Sequence, residues 1–324
     1  MKYITVIIEK KYMQVGGVGH ILYDVLTAYI ISKLFNLKFV YNPINSLGNK
    51  HHTGEINGYT KDNFNWDSFL QFNKNELSMH DTKNLNLDKV TINLCNPFKS
   101  VNIKQLETFI QSHNDNTLFI LTNNNRIYLN ELFYFNNDIY NCVISNMKKK
   151  LIHLKKNKQT KTIIISIHIR RGDWSSQPIS YNIEFIKLLN IIYKNINYQL
   201  NVYSIGIESQ LNEIKNNLTP LNKNITFYFN TNVFETFSSI YNSDIVVGGY
   251  SNFPKIITMF SNSIFIYLPN NDGIIPALGV NSSFKTCHLG NYPEQFNKEK
   301  RIETDIYCNK NKHIIINKLN SLII

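Results

Sequence analysis

From residue 162 to 268 the chain alternates short apolar runs with stretches of helical periodicity. No other feature restricts its fold as much. The runs 162–169, 199–205, 225–229, 244–247 and 264–268 are rich in β-branched and aromatic residues and read as strands. Between them, 181–195, 209–216, 232–242 and 254–260 read as helices. Ser180 is the expected cap of the first, with Glu184 in its first turn. A strand followed by a helix and another strand packs as a parallel pair, so this half is expected to be an α/β sheet unit.

The first half repeats the pattern less clearly. Residues 3–8 read as a strand, 14–20 as a glycine-rich turn, 21–35 as a helix and 37–41 as a second strand that Pro43 ends. The stretch 45–62 is polar and reads as a long loop. Strands are expected near 90–94 and 118–121, and a helix over 130–150. The fold expected is α/β with two Rossmann-like domains, divided as 1–155 and 156–324. A final helix over 314–324 is expected to pack back on the first domain.

Composition narrows the partners. The chain has 324 residues, 34 Lys+Arg against 23 Asp+Glu, and a net charge of +11. Such a balance favours anionic ligands: nucleotides, phosphorylated sugars, or a polyanion. Lys148, Lys149 and Lys150, with Lys155, Lys156, Lys158 and Lys161 behind them, read as a helix end and an interdomain linker. A polyanion-binding patch is the alternative reading of that run. No RNA-binding aromatic motif or helix-turn-helix signature accompanies it, so no nucleic-acid partner is expected.

The four cysteines, Cys95, Cys142, Cys287 and Cys308, form no C-x-x-C pair, which argues against a zinc knuckle. The N-terminus lacks a secretory h-region, and no segment reaches the ~20 continuous apolar residues of a membrane span. A cytoplasmic protein is expected. Asparagine is over-used throughout, so sequons such as Asn217-Leu218-Thr219 are expected by chance.

Three segments carry chemistry. The strand 162–169 runs into His168-Ile169-Arg170-Arg171-Gly172-Asp173. Arginine keeps its charge and offers a planar fork of donors that matches phosphate oxygens. Ligands of open α/β sheets bind outside the carboxyl ends of strands. The same arginines also fit a structural ion pair with Asp173 or another acid. Arg171-Gly172-Asp173 spells an integrin-binding tripeptide, which only an exposed loop can use.

The second segment, Gly16-Gly17-Val18-Gly19-His20, lies between a strand and a helix, where glycines allow close backbone approach to an anion. It is neither a dinucleotide fingerprint, lacking the third glycine, nor a P-loop. A turn that merely packs the helix on the sheet also fits it. The third segment runs from Asp244 through Gly248-Gly249 to Ser251-Asn252-Phe253. Its hydroxyl and amide groups at a helix start suit phosphate, and suit plain helix caps as well.

In this order the three segments resemble the motifs of the GT-B fucosyltransferase superfamily, which includes the α1,2-, α1,6- and protein O-fucosyltransferases. The resemblance runs from about Gly16 to Leu268, with Asn252 where a second serine is usual. It implies two Rossmann-like domains facing a cleft and a metal-independent, inverting transfer of fucose from GDP-fucose to a glycan or protein hydroxyl, with no cofactor. Arg170 would contact the β-phosphate and stabilise it as it leaves, His168 and Asp173 would order the donor pocket and its strand edge, and Arg171 would bind substrate. Asp244 would accept from guanine N1 and N2. Ser251 and Asn252 would bind phosphate oxygens. Gly16, Gly17, Gly19 and His20 would approach the diphosphate and the acceptor.

The chain has no Asp-x-Asp near the arginines to hold a divalent ion, and arginine can stabilise a leaving diphosphate instead. The general base stays open among Asp173, His20, Asp24 and Glu55, because Trp174-Ser175-Ser176-Gln177-Pro178 carries no glutamate.

Overall fold

The structure is a computed structural model. It describes residues 1–7, 18–44, 65–92, 103–122, 136–157, 162–171, 179–194, 196–249, 251–268 and 286–288, with residues 317 and 320. The chain divides into two compact units that change over between His153 and Leu154. Each holds one parallel sheet, so the expected α/β class with two Rossmann-like halves is what the chain adopts.

The first unit contains β1 (Tyr3–Ile7), α1 (Val18–Leu34), β2 (Lys38–Tyr41), α2 (Trp66–Leu70), β3 (Leu77–Ser78), β4 (Asp88–Thr91), α3 (Ile103–Gln111), β5 (Thr117–Thr122) and α4 (Asn137–Lys150). The strand order is β3-β2-β1-β5-β4. Every residue of β1 pairs with β5, from Tyr3 opposite Leu118 to Ile7 opposite Thr122. Ile4 and Val6 are buried between these neighbours.

Helix α1 packs on β1, β2 and α4, and most of it is buried. It begins at Val18, so Gly19 and His20 stand in its first turn rather than in the turn expected over 14–20. α4 ends in three lysines, which suit the negative end of the helix dipole. Lys150 turns inward, donating to the carbonyl of Phe72 and pairing with Glu76 at 2.8 Å. Tyr29 of α1 donates to the same carboxylate, so the three side chains tie α1 and α4 to the segment before β3. The short α2, β3 and α3 were not expected from the sequence. The tail helix expected over 314–324 lies outside the described residues.

The second unit contains β6 (Ile163–His168), α5 (Ile179–Ile192), β7 (Tyr198–Ser204), α6 (Glu208–Leu218), β8 (Ile225–Phe229), α7 (Val233–Tyr241), β9 (Ile245–Gly248), α8 (Asn252–Phe260), β10 (Ile264–Tyr267) and β11 (Thr286–His288). α5 starts at Ile179, so Ser180 lies inside its first turn instead of capping it, and Glu184 lies beyond that turn. The strand order is β11-β10-β9-β6-β7-β8, all parallel. Chain order runs outward from β6 through β7 and β8, then returns to β9 and runs the other way. The connection reverses between β6 and β9.

Side chains of a strand alternate between faces, and here the alternation sorts the core. Ile163, Ile165 and Ile167 of β6, Leu200 and Val202 of β7 and Ile245 and Val247 of β9 share one cluster with Phe185, Ile186 and Leu189 of α5 and Leu211 and Ile214 of α6. The other face of β6 meets α7 and α8. Ser166 shares a hydrogen bond of 2.7 Å with Ser243, which follows α7. α5 packs beside α6, and α7 beside α8, giving a helix layer on each side.

Candidate functional site at the sheet reversal

Open parallel sheets bind ligands at the carboxyl edge, where the strand order reverses. In the second unit that place lies between the ends of β6 and β9. His168, the last residue of β6, is the register partner of Gly248, the last residue of β9. The two expected motifs therefore meet side by side. Their helix joins them too, since the ring of Phe253 in the first turn of α8 lies 5.9 Å from the His168 ring. Phe253 in turn meets Phe237 of α7 at 6.2 Å.

Gly248 makes this approach possible. A Cβ there would stand 3.0 Å from Cγ of Pro254 and 3.4 Å from a ring carbon of Phe265. The absent side chain lets α8 sit down on the strand edge. Its N-terminus then faces the reversal, and the unsatisfied amides of a helix start favour an anion. Ser251 is the N-cap residue, with extended backbone, is 7% exposed, and makes no side-chain capping hydrogen bond. Asn252 is the first residue of the helix.

The two arginines part company. Ile169 extends the ladder past β6, with its amide donating to the carbonyl of Tyr203 at 3.0 Å. Alternation then places Arg170 on the His168 side and Arg171 on the α5–α6 side. Arg170 is half-buried. Arg171 is buried, 6% exposed, and its guanidinium lies 3.6 Å from the carboxylate of Glu213 on α6. It also donates to the carbonyl of Arg170 at 3.2 Å. The ion pair open to these arginines from the sequence is made by Arg171, with Glu213 as the acid.

Asp244 lies elsewhere in the sheet. It stands before β9, at the amino edge of the sheet, opposite the edge that holds His168. Its carboxylate accepts from the amide of Ile164 at 2.7 Å, and its own amide donates to the Ile164 carbonyl at 2.9 Å. The aspartate stitches β6 to β9 like one more ladder rung. The ends of β6 and β9, His168 and Gly248, lie at the other edge.

Lys255 is a residue that the sequence reading missed. It lies in the first two turns of α8, is 7% exposed, and burial pushes its ammonium down to about 7. The available signal was a lone charged residue, a lysine, inside the mostly apolar run Pro254–Phe260. Of the remaining expected residues, Gly16, Gly17, Asp173 and Glu55 lie outside the described residues. Gly19 and His20 lie on α1 of the first unit, as does Asp24.

The second unit is thus a Rossmann-ordered α/β unit with a glycine-admitted helix N-terminus beside His168 at its reversal. No family model matches the chain, and no curated protein matches it. Among solved structures the chain is similar to POFUT1 in complex with GDP-fucose, with a TM-score of 0.45 and 10% identity over 82% of this chain and 98% of that one. It is similar to E. coli heptosyltransferase WaaC with ADP, with a TM-score of 0.45 and 10% identity over 96% of this chain and 100% of that one. A glycosyltransferase from Rickettsia africae ESF-5 has a TM-score of 0.32 and 12% identity over 98% of this chain and 93% of that one. Among the described residues, no helix is long and apolar enough to cross a membrane.

Proposed function

We propose that the chain is a GT-B glycosyltransferase that moves fucose from GDP-fucose to a glycan or protein hydroxyl, with inversion and without a metal. The observation that carries the reading is the pairing of His168 with Gly248 where β6 and β9 end, with α8 starting just past Gly248 and Arg170 just past His168. Glycosyl transfer leaves a nucleoside diphosphate on which negative charge grows. A fixed guanidinium and a helix N-terminus both stabilise that charge, and more so as it develops. Arg170 is the residue assigned to the β-phosphate. Ser251, Asn252 and the first amides of α8 are assigned to phosphate oxygens, with the His168 ring 5.9 Å from that of Phe253. Asp173, His20, Asp24 and Glu55 remain candidates for accepting the proton of the acceptor hydroxyl.

The choice of GDP rests on the three-motif resemblance alone, because Asp244 lies at the far edge of the sheet. Another nucleotide sugar in the same site is therefore the second reading. A thermal-shift panel of GDP, UDP, ADP and CMP, followed by a donor hydrolysis assay in EDTA, separates the two. GDP is expected to give the largest shift, and GDP-fucose is expected to be consumed with EDTA present. A larger shift with UDP or ADP transfers the assignment to that nucleotide. No shift with any of the four refutes the glycosyltransferase reading.

A further inference from the structure

Adjacent arginines after a strand invite the view that both grip the ligand. The geometry points to a division of labour instead. We infer that Arg171, Glu213 and Ser204 are positioning residues, which lock the backbone around Arg170 so that its guanidinium is presented in one place.

The backbone on both sides of Arg170 is held by side chains. Ser204, the last residue of β7 and 3% exposed, donates to the carbonyl of Ile169 at 2.7 Å. The amide of the same residue is already committed to the carbonyl of Tyr203. One residue on, the Arg170 carbonyl accepts from Arg171. The guanidinium that makes this bond is itself buried and anchored to Glu213. Two consecutive carbonyls just past the end of β6 are thus tied to β7 and to α6. Without these ties, a segment past a strand end has few constraints and samples many backbone states.

The charge balance supports the assignment. Glu213 opposes the positive charge of Arg171, which offsets the cost of keeping that guanidinium buried beside α6. A contact that must stabilise a transition state loses much of its value when displaced by about 1 Å. A residue that fixes the backbone therefore acts on turnover through Arg170 while touching no ligand. As a statement about turnover, this rests on the glycosyltransferase reading above. As a statement about Arg170 itself, it does not.

The test uses the full chain labelled with 15N-arginine, which reports on four residues: Arg126, Arg170, Arg171 and Arg301. Glu213→Gln removes the anchor from a half-exposed helix site, and Ser204→Ala removes the other tie. In the ligand-free protein, the Arg170 amide order parameter is expected to fall from about 0.85 toward about 0.6 in each variant, with Arg126 and Arg301 unchanged. An unchanged Arg170 amide in both variants overturns the inference.

With GDP-fucose as donor, Glu213→Gln is expected to lower kcat about tenfold, with KM kept within about threefold. In an Arg170→Ala background the same change is expected to lower kcat no further, since its effect passes through Arg170. A further full tenfold fall there overturns the positioning role. If the wild-type chain neither binds a nucleotide nor turns over a donor, the glycosyltransferase reading fails, and the order parameters still decide the inference.

Discussion

The guanidinium of Arg171 and the carboxylate of Glu213 lie 3.6 Å apart, on the face of the second sheet opposite His168. Arg170, its neighbour in sequence, stands on the other side. A strand's period of two accounts for the split. It places the two arginines of the motif on opposite faces of the sheet.

Arg170→Ala is expected to lower turnover about a hundredfold, the usual cost of removing one donor from a charge-stabilising site. The loss should appear mainly in kcat, and the Tm should stay within about 2 °C of wild type. Donor hydrolysis in EDTA with a parallel melting curve makes the check. Full activity in this variant would sink the assignment of Arg170.

Asp244→Ala is expected to unfold the second unit more easily without altering nucleotide preference. A carboxylate that accepts a backbone amide contributes about 1.5–3 kcal/mol, and the Ile164 amide loses that partner. Denaturant titration measures the loss. The nucleotide panel run on the variant checks the rest, and a selective loss of GDP binding would return the residue to a base-recognition role.

Gly248→Ala is expected to weaken both stability and ligand binding. The added methyl meets Pro254 at 3.0 Å and Phe265 at 3.4 Å, so α8 must shift away from the strand edge. Overpacking of this kind costs about 1–3 kcal/mol. A melting curve and a nucleotide titration together should show both effects. Unchanged affinity in a destabilised variant would separate the seating of the helix from the binding site.

Lys255→Met is expected to raise the Tm, and to raise it more in acid than in alkali. Burial holds the folded-state pKa of Lys255 at about 7, below the ordinary lysine value of 10.5. Between these values the unfolded chain binds more protons at this position, so stability rises with pH there. The contribution is whole above the ordinary value and is lost as pH falls through about 7. The difference in Tm between variant and wild type should therefore be about 2 °C or more at pH 6 and shrink toward pH 10. An equal difference at both pH values would mean that Lys255 stays protonated in the folded chain.

Strand and helix identity in the second unit was largely legible. The runs beginning at Ile163, Tyr198, Ile225, Ile245 and Ile264 fold within a residue or so of their expected bounds. Each is a β-branched or aromatic run bounded by polar turns, so local pattern and tertiary environment agree. α3 was missed although Ile103, Leu106 and Ile110 follow a helical period, because the polar residues between them masked the stripe. α1 reaches back to Val18, since packing on β1 and β2 outweighs the helix-breaking cost of Gly19.

Site residues were legible in type and less so in role. His168, Arg170 and Ser251 stand at the carboxyl edge, as a strand end and a helix start must. Asp244 precedes its strand, and a residue at that point is carried to the opposite edge of a parallel sheet. The alternation that separates Arg170 from Arg171 was readable in the sequence. The acid that meets Arg171 was not, since Glu213 lies 42 positions further along and reaches it through the packing of α6.

By itself, the sequence determined the α/β class, the parallel alternation and the presence of arginine at a strand end. These follow from local periodicity and from side-chain chemistry, which act over a few residues. Only the tertiary structure decided the strand order, the register of His168 with Gly248 and the burial of Arg171 and Lys255. Those depend on which distant segments share surface and lose water together. The edge of the sheet on which a residue falls, and the charge that meets it there, are set by that packing.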